Sequence, residues 1–299
     1  MFFCVDAGFS LGFMVTLDTL LDRFSEDITP NINIVDNGLK EGFLDELRRY
    51  LEKHPKKPFL KIRKMREEYL EPFKAHTAFR KQDQFRPAVL SKLAIPILFP
   101  ESQFGAYLDC DFFVQKDFSS LLQFENEDVD LLAVRDRFID KMDSHYEGID
   151  SDLFNTNPVA PYFNAGFFVM NLKRWDRKSY WDKVHEISLK KPMAWEDQSI
   201  LNIAFCNKWK SLPDSWNRMV WPQYLEYSFP KKDRNYHFFG GQKPWDFSPT
   251  VSKGLVPMFF KTYKNIPFNG LKIDHLNRPH GIWWLKNFIF PSFPSKEKI

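Results

Sequence analysis

Asp109 and Asp111 close a short apolar run, Tyr107-Leu108-Asp109-Cys110-Asp111-Phe112-Phe113-Val114. On an extended strand, residues two apart face the same side, so both carboxylates are expected to meet at one spot. Two like charges held that close repel, and one would have to keep a proton. A hard divalent cation removes the conflict, and oxygen ligands of this kind suit magnesium or manganese. A solvated acidic pair is the plain alternative, and the chain carries two controls for it. Asp128-Val129-Asp130 precedes its apolar run, Leu131-Leu132-Ala133-Val134, and Asp150-Ser151-Asp152 lies in a polar loop. Of the three, the pair at 109 and 111 alone follows a strand, the end at which open α/β sheets bind ligands.

Four further clusters give that pair a context. His237-Phe238-Phe239-Gly240-Gly241-Gln242-Lys243-Pro244-Trp245 supplies an imidazole, a glycine pair that lets backbone approach an anion, and a lysine. Such a set could complete a metal site and hold phosphate, although Gly-Gly before Lys-Pro is also an ordinary turn. Phe163-Asn164-Ala165-Gly166-Phe167-Phe168-Val169-Met170-Asn171-Leu172 sets amides and a glycine around an apolar run. Trp195-Glu196-Asp197-Gln198-Ser199-Ile200-Leu201-Asn202 places Asp197 and Gln198 at a helix start, where capping competes on equal terms with catalysis. Asp6, just past the first strand, could meet a nucleotide or cap the next helix.

The elements that must position these residues alternate between strand and helix. Phe2 to Val5 reads as a strand, Phe13 to Phe24 as a helix with apolar Leu17, Leu20, Leu21 and Phe24, and Asn33 to Val35 as the next strand. Leu39 to Leu51 is amphipathic, Phe59 to Ile62 extended, Val89 to Leu98 helical, and Ala106 to Leu108 leads into the aspartates. This βαβ series predicts an α/β fold with a mostly parallel sheet covered by helices. A strand at Leu131 to Val134, a strand pair around Asn164 to Asn171 and a helix after Trp195 are expected beyond it. No internal repeat or linker-like low-complexity stretch divides the chain.

Composition bounds the class. The 299 residues, 43% hydrophobic, can bury a large core, and a net charge of +3 is too small to point to a nucleic-acid partner. Aromatic residues make up 17% of the chain, an excess expected to fill the core for the most part. Three cysteines, Cys4, Cys110 and Cys206, show no metal spacing and no even disulfide set, which favours a reducing compartment. The opening residues read directly as a strand, without a basic leader or cleavage site, and no apolar run is long enough to span a membrane. A cytoplasmic location is the expectation.

Taken together, these segments resemble the family 8 glycosyltransferases, retaining enzymes that include glycogenin and bacterial lipopolysaccharide galactosyl- and glucosyltransferases. The resemblance runs in order over most of residues 2 to 245, through Tyr-Leu-Asp-Cys-Asp at 107 to 111, Phe-Asn-Ala-Gly at 163 to 166, Asp-Gln at 197 and 198, and His-x-x-Gly-x-x-Lys-Pro-Trp at 237 to 245. It implies a GT-A type nucleotide-sugar-binding fold, with a catalytic domain over residues 1–250 and an extension over 251–299. It implies that Asp109, Asp111 and His237 bind manganese, with magnesium as the alternative, and that the ion grips the diphosphate of a UDP-sugar. Gly240 and Lys243 match phosphate-contacting positions, Asp6 the aspartate near uracil, and Lys92 a basic residue touching the donor. Asn164, Asp197 and Gln198 match residues around the donor sugar and the reacting carbon. The family often has a second acidic residue and an Asn after the first aspartate, where this chain has Ala7 and Gly8.

The implied activity is transfer of a hexose, from UDP-galactose or UDP-glucose, to a glycan acceptor such as lipopolysaccharide. An Asp-x-Asp phosphohydrolase shares the strand-then-aspartates signal, but there the pair usually follows the first strand. A non-catalytic carbohydrate-binding protein on the same scaffold would not need an intact metal and phosphate set. Ile282-Trp283-Trp284-Leu285-Lys286-Asn287-Phe288-Ile289-Phe290, set among Arg278, Lys296 and Lys298, joins interfacial rings to cations. Such a segment either docks on the inner membrane face beside a lipid-linked acceptor or covers an apolar flank of the domain.

Overall fold

The first strand, β1 (Phe2–Val5), is buried along its whole length and sets the plan of the molecule. Its odd residues, Phe3 and Val5, join one apolar cluster while Phe2 and Cys4 join another, so the strand has core on both faces. The computed structural model describes residues 1–73, 87–143, 149–191, 193, 195–220, 231–240, 243–246 and 255–268. The elements up to the aspartates are α1 (Ser10–Leu21), β2 (Asn31–Asp36), α2 (Glu41–Lys53), β3 (Phe59–Lys64), α3 (Glu67–Leu70), α4 (Pro87–Ser91), α5 (Ile95–Leu98) and β4 (Gly105–Leu108). Then come β5 (Phe112–Phe113), β6 (Leu131–Arg135), α6 (Ser151–Phe154), β7 (Phe163–Met170), α7 (Arg177–Lys190), α8 (Glu196–Ala204), β8 (Trp209–Leu212), β9 (Arg218–Met219), β10 (Tyr236–His237) and α9 (Leu255–Asn265).

Seven strands form the central sheet in the order β3-β2-β1-β4-β7-β6-β8. The pairs β3–β2, β2–β1, β1–β4 and β6–β8 are parallel, whereas β7 runs antiparallel to both β4 and β6. The mostly parallel, helix-flanked α/β fold expected from the sequence is therefore present. The reversal of β7 matters for function: its first residues, not its last, lie at the edge where β1, β4 and β6 end. The strand pair expected around Asn164 to Asn171 is instead this single eight-residue strand. The strand is buried throughout, and its amide Asn164 bonds to Gln198 and to the Gly166 N–H.

Two other boundaries differ from expectation for local reasons. The helix expected over Phe13 to Phe24 begins at Ser10 and ends at Leu21, and it is buried nearly all round, so apolar spacing does not mark its ends. The helix expected over Val89 to Leu98 is broken into α4, a 3-10 turn at Lys92–Ala94, and α5, which opens with Pro96 in its first turn. Proline lacks the N–H that a continuous helix would need there.

A second sheet of three short strands, in the order β5-β10-β9, hangs on the end of β4. Phe112 pairs with His237 and Phe113 with Tyr236 in antiparallel register, which carries the distant histidine directly beside Asp111. The α9 helix lays Val256, Phe259 and Phe260 into the cluster that also holds α1 residues Phe13 and Leu17. Most rings serve this packing, as in the parallel stack of Phe167 on Trp216 at 5.6 Å. Among the described residues, no helix is long and apolar enough to cross a membrane. The aromatic segment beyond residue 268 lies outside the described residues.

Candidate active site

The ends of β1, β4 and β6 and the start of β7 deliver Asp6, Asp109, Asp136 and Asn164 into one cavity of about 810 Å³. Its lining includes all ten residues singled out from the sequence: Asp6, Lys92, Asp109, Asp111, Asn164, Asp197, Gln198, His237, Gly240 and Lys243. Among the described residues, Asp109, Asp111 and His237 form the one group whose ligand atoms could share a metal ion, all lying within 4.8 Å of one another. His237 Nε2 is 3.3 Å from Asp111 Oδ1 and 3.7 Å from Asp109 Oδ2. The control pairs behave as plain acids: Asp128 and Asp130 pair with Arg174, and Asp150 caps α6 by accepting from the Leu153 N–H.

His237 is held from three sides. Its ring stacks on Phe112 at 4.5 Å, with the planes 14° apart, and Nδ1 lies 3.0 Å from Asn217 Oδ1. On the third side is Gly166, where a Cβ atom would come within 2.3 Å of the imidazole Cε1. Glycine is required there for room and not for a turn. Asp111 is buried, its Oδ2 accepting from Lys243 Nζ at 2.5 Å, while its Oδ1 is a buried oxygen with no hydrogen-bond donor among the described residues. Burial would raise its carboxyl pKa, but Lys243 and His237 outweigh that and hold it well below the usual carboxylate range.

Asp109 is held differently. Its Oδ1 accepts from the Tyr107 hydroxyl at 2.5 Å and from Lys92 Nζ at 3.2 Å. The same buried ammonium pairs with Asp197 Oδ2 at 2.8 Å and donates to the Ala165 carbonyl. Burial alone would lower the Lys92 pKa, yet Asp109 and Asp197 more than offset it and raise it. Burial raises the Asp197 carboxyl above its ordinary value, with Lys92 countering part of the shift. Asp197 is not a helix cap: the cap residue of α8 is Trp195, without a side-chain hydrogen bond, and the carboxylate is spent on Lys92. Asp6 Oδ1 accepts from the Phe9 N–H at 3.0 Å, so it braces the entry to α1 while lining the cavity. Gly240 has φ +85, a left-handed conformation that favours glycine.

The amides form one connected set. Gln198 Oε1 accepts from the Ala165 N–H at 3.0 Å and from Asn164 Nδ2 at 3.1 Å, and its Nε2 donates to Asp136 Oδ2 at 3.2 Å. Asp136 was not among the expected residues, although it follows β6 as Asp109 follows β4, and the strand-end rule could have found it. Its other oxygen takes the N–H groups of Phe138 and Ile139. Asn217 and the Tyr107 hydroxyl were missed as well, because both act through other side chains and no spacing marks them.

Residues 1–248 match the family model described as glycosyl transferase family 8. The chain belongs to this family. Among its relatives, glycosyltransferase GlyA of Streptococcus pneumoniae serotype 4 is 28% identical over 203 residues, covering 64% of this chain and 25% of its own. Lipopolysaccharide 1,2-glucosyltransferase of Escherichia coli is 25% identical over 205 residues, covering 61% of this chain and 58% of its own. The chain thus spans between a quarter and about three-fifths of the length of such family 8 relatives. Galactosyltransferase LgtC, solved in complex with donor and acceptor sugar analogs, superposes with a TM-score of 0.70 at 18% identity, covering 90% of this chain and 96% of that one. The bifunctional WbbM structure also reaches 0.70, at 19% identity. At these identities the likeness establishes the fold, which is the GT-A type expected of family 8.

Proposed function

We propose that the chain is a divalent-metal-dependent retaining hexosyltransferase that moves a hexose from UDP-galactose or UDP-glucose to a glycan acceptor, such as lipopolysaccharide or another surface glycan. The observation that carries this reading is the acidic end of β4 meeting His237 in the cavity that also holds Lys243, Asp197 and Gln198. The donor set fits an ion, because among the described residues the buried Asp111 Oδ1 has no hydrogen-bond donor, and it lies 3.3 Å from His237 Nε2. Asp109, Asp111 and His237 would hold manganese, or magnesium, whose charge stabilises a diphosphate leaving group.

The chain's own residues supply the rest. Lys243, beside Asp111, brings a cation to the diphosphate. Asp6 and Lys92 line the donor side, and Gly240 lets backbone approach the phosphates. Asp197, its charge balanced by Lys92, accepts hydrogen bonds from sugar hydroxyls. Gln198 Oε1 already accepts two hydrogen bonds, so neither lone pair is available to attack the sugar. Retention then follows from attack on the face the diphosphate leaves. The bond from C1 to the diphosphate oxygen breaks, the acceptor oxygen bonds to C1, and its proton passes to the departing diphosphate.

The proposal includes one catalytic domain over residues 1–250 with an extension over 251–299, in which α9 is already buried on α1. It also places the enzyme in the cytoplasm, at the inner membrane face if the acceptor is lipid-linked. The test is incubation with UDP-glucose or UDP-galactose, manganese and a glycan acceptor. Release of UDP with an α-linked product supports the reading; phosphate release without transfer, or binding without turnover, refutes it.

A further inference from the structure

Asn217 ends the 3-10 turn Asp214–Trp216, directly before β9, and is fully buried. It does not line the cavity, yet its one amide touches both halves of the site. Its Oδ1 lies 3.0 Å from His237 Nδ1, and its Nδ2 donates to Asn164 Oδ1 at 2.9 Å. Backbone groups fix the sense of these contacts. The Gly166 N–H can only donate, and it donates to Asn164 Oδ1 at 3.0 Å. Asn164 therefore turns its oxygen toward Gly166 and Asn217, and its amino group toward Gln198 and Asp136. Asn217 must meet that oxygen with its own amino group, which leaves its carbonyl for the histidine. A carbonyl only accepts, so Nδ1 of His237 carries the ring proton. Nε2, turned to Asp109 and Asp111, is then the nitrogen whose lone pair a metal ion would take. At the far end the Ala165 N–H fixes Gln198 in the same way, sending Nε2 to Asp136.

We infer that Asn217 is a positioning residue that sets the His237 tautomer for metal ligation and, through the same amide, orients Asn164 and Gln198 on the sugar side. The inference rests on the metal-dependent transferase reading above. Two ends of one short amide thus tie the metal half of the cavity to the sugar half without touching either ligand.

The test uses the full chain, labelled with 15N-histidine, and manganese alone as the binding probe. In metal-free wild type, at a pH where the ring is neutral, His237 should carry its proton on Nδ1. Asn217→Ala should return it toward the Nε2–H form and weaken manganese binding about 10–100-fold. Asn217→Asp keeps an acceptor on Nδ1 but cannot donate to Asn164. It should keep the tautomer and bind manganese within about threefold of wild type, while kcat at saturating metal falls about tenfold or more. A neutral wild-type His237 protonated on Nε2 overturns the inference, and so does Asn217→Asp losing the tautomer. Should the alanine variant fail to fold, these two measurements still decide the matter. Wild type that shows the Nδ1–H tautomer but binds no manganese sinks the metal reading itself, a separate outcome.

Discussion

Replacing Gly166 by alanine adds one methyl group against His237 in the proposed metal site. The new Cβ would sit 2.3 Å from His237 Cε1, 2.8 Å from Nδ1 and 3.0 Å from Asn164 Oδ1. Ordinary contact begins near 3.4 Å, so the imidazole would have to retreat by about 1 Å. Its movement is limited by Phe112, stacked on the ring at 4.5 Å, and by the contact of Nδ1 with Asn217. Overpacking of this kind costs about 1–3 kcal/mol, a fraction of the 5–15 kcal/mol of a typical domain, so the chain should still fold. A ligand displaced by about 1 Å is a different matter, and manganese affinity should fall about 10–100-fold, as when a ligand's support is lost. Titration calorimetry with manganese on the metal-free protein reads the affinity, and a thermal melt reads the stability. Gly166→Ala with wild-type manganese affinity would refute the placement of His237 as a ligand. A variant that cannot fold would refute the stability estimate.

Asp109→Asn and Asp111→Asn should both abolish transfer but differ in stability. The first leaves Lys92 paired with Asp197 and costs about 1 kcal/mol, whereas the second removes the carboxylate opposite the buried Lys243 and costs about 3 kcal/mol. At roughly 2–4 °C per kcal/mol, metal-free Asp111→Asn should melt several degrees below Asp109→Asn, and the reverse order would contradict the pairing. Lys243→Ala removes a cation that competes for Asp111, so manganese should bind the free protein more tightly while UDP binds the manganese-loaded protein about tenfold more weakly. Parallel weakening of both ligands by calorimetry would count against that split. His54 and His185 both have pKa values lowered from 6.5 by burial, His185 with its Nε2 buried and lacking a partner among the described residues. The unfolded chain then takes up protons first, so the stability they contribute is present above about pH 6.5 and is lost as pH falls through the lowered folded values. Tm should drop between pH 7.5 and 5.5, and His185→Gln should flatten the drop; an unchanged slope would exclude this histidine as a cause.

The sequence by itself determined the sheet's plan and the chemistry of its edge. Alternating strands and helices dictated the layered α/β fold, because each strand needs covering on both faces, and an aspartate pair after an apolar run is a local pattern. The four motifs, read together, carried the family. What the sequence left open depended on contacts between distant segments. The direction of β7 is such a case, since an apolar strand with Asn164 and Gly166 near its start reads the same whichever way it pairs. Gly166 carried no mark of its own until the His237 ring was seen against it. Lys92 and Lys243 read as donor contacts, and only the folded chain brings their ammonium groups onto Asp109, Asp197 and Asp111. Asn217 had no motif at all, and Asp136 only its place after an apolar run. Their roles come from the direction of hydrogen bonds, and that direction is decided by backbone N–H groups of β7 that no spacing in the chain can place.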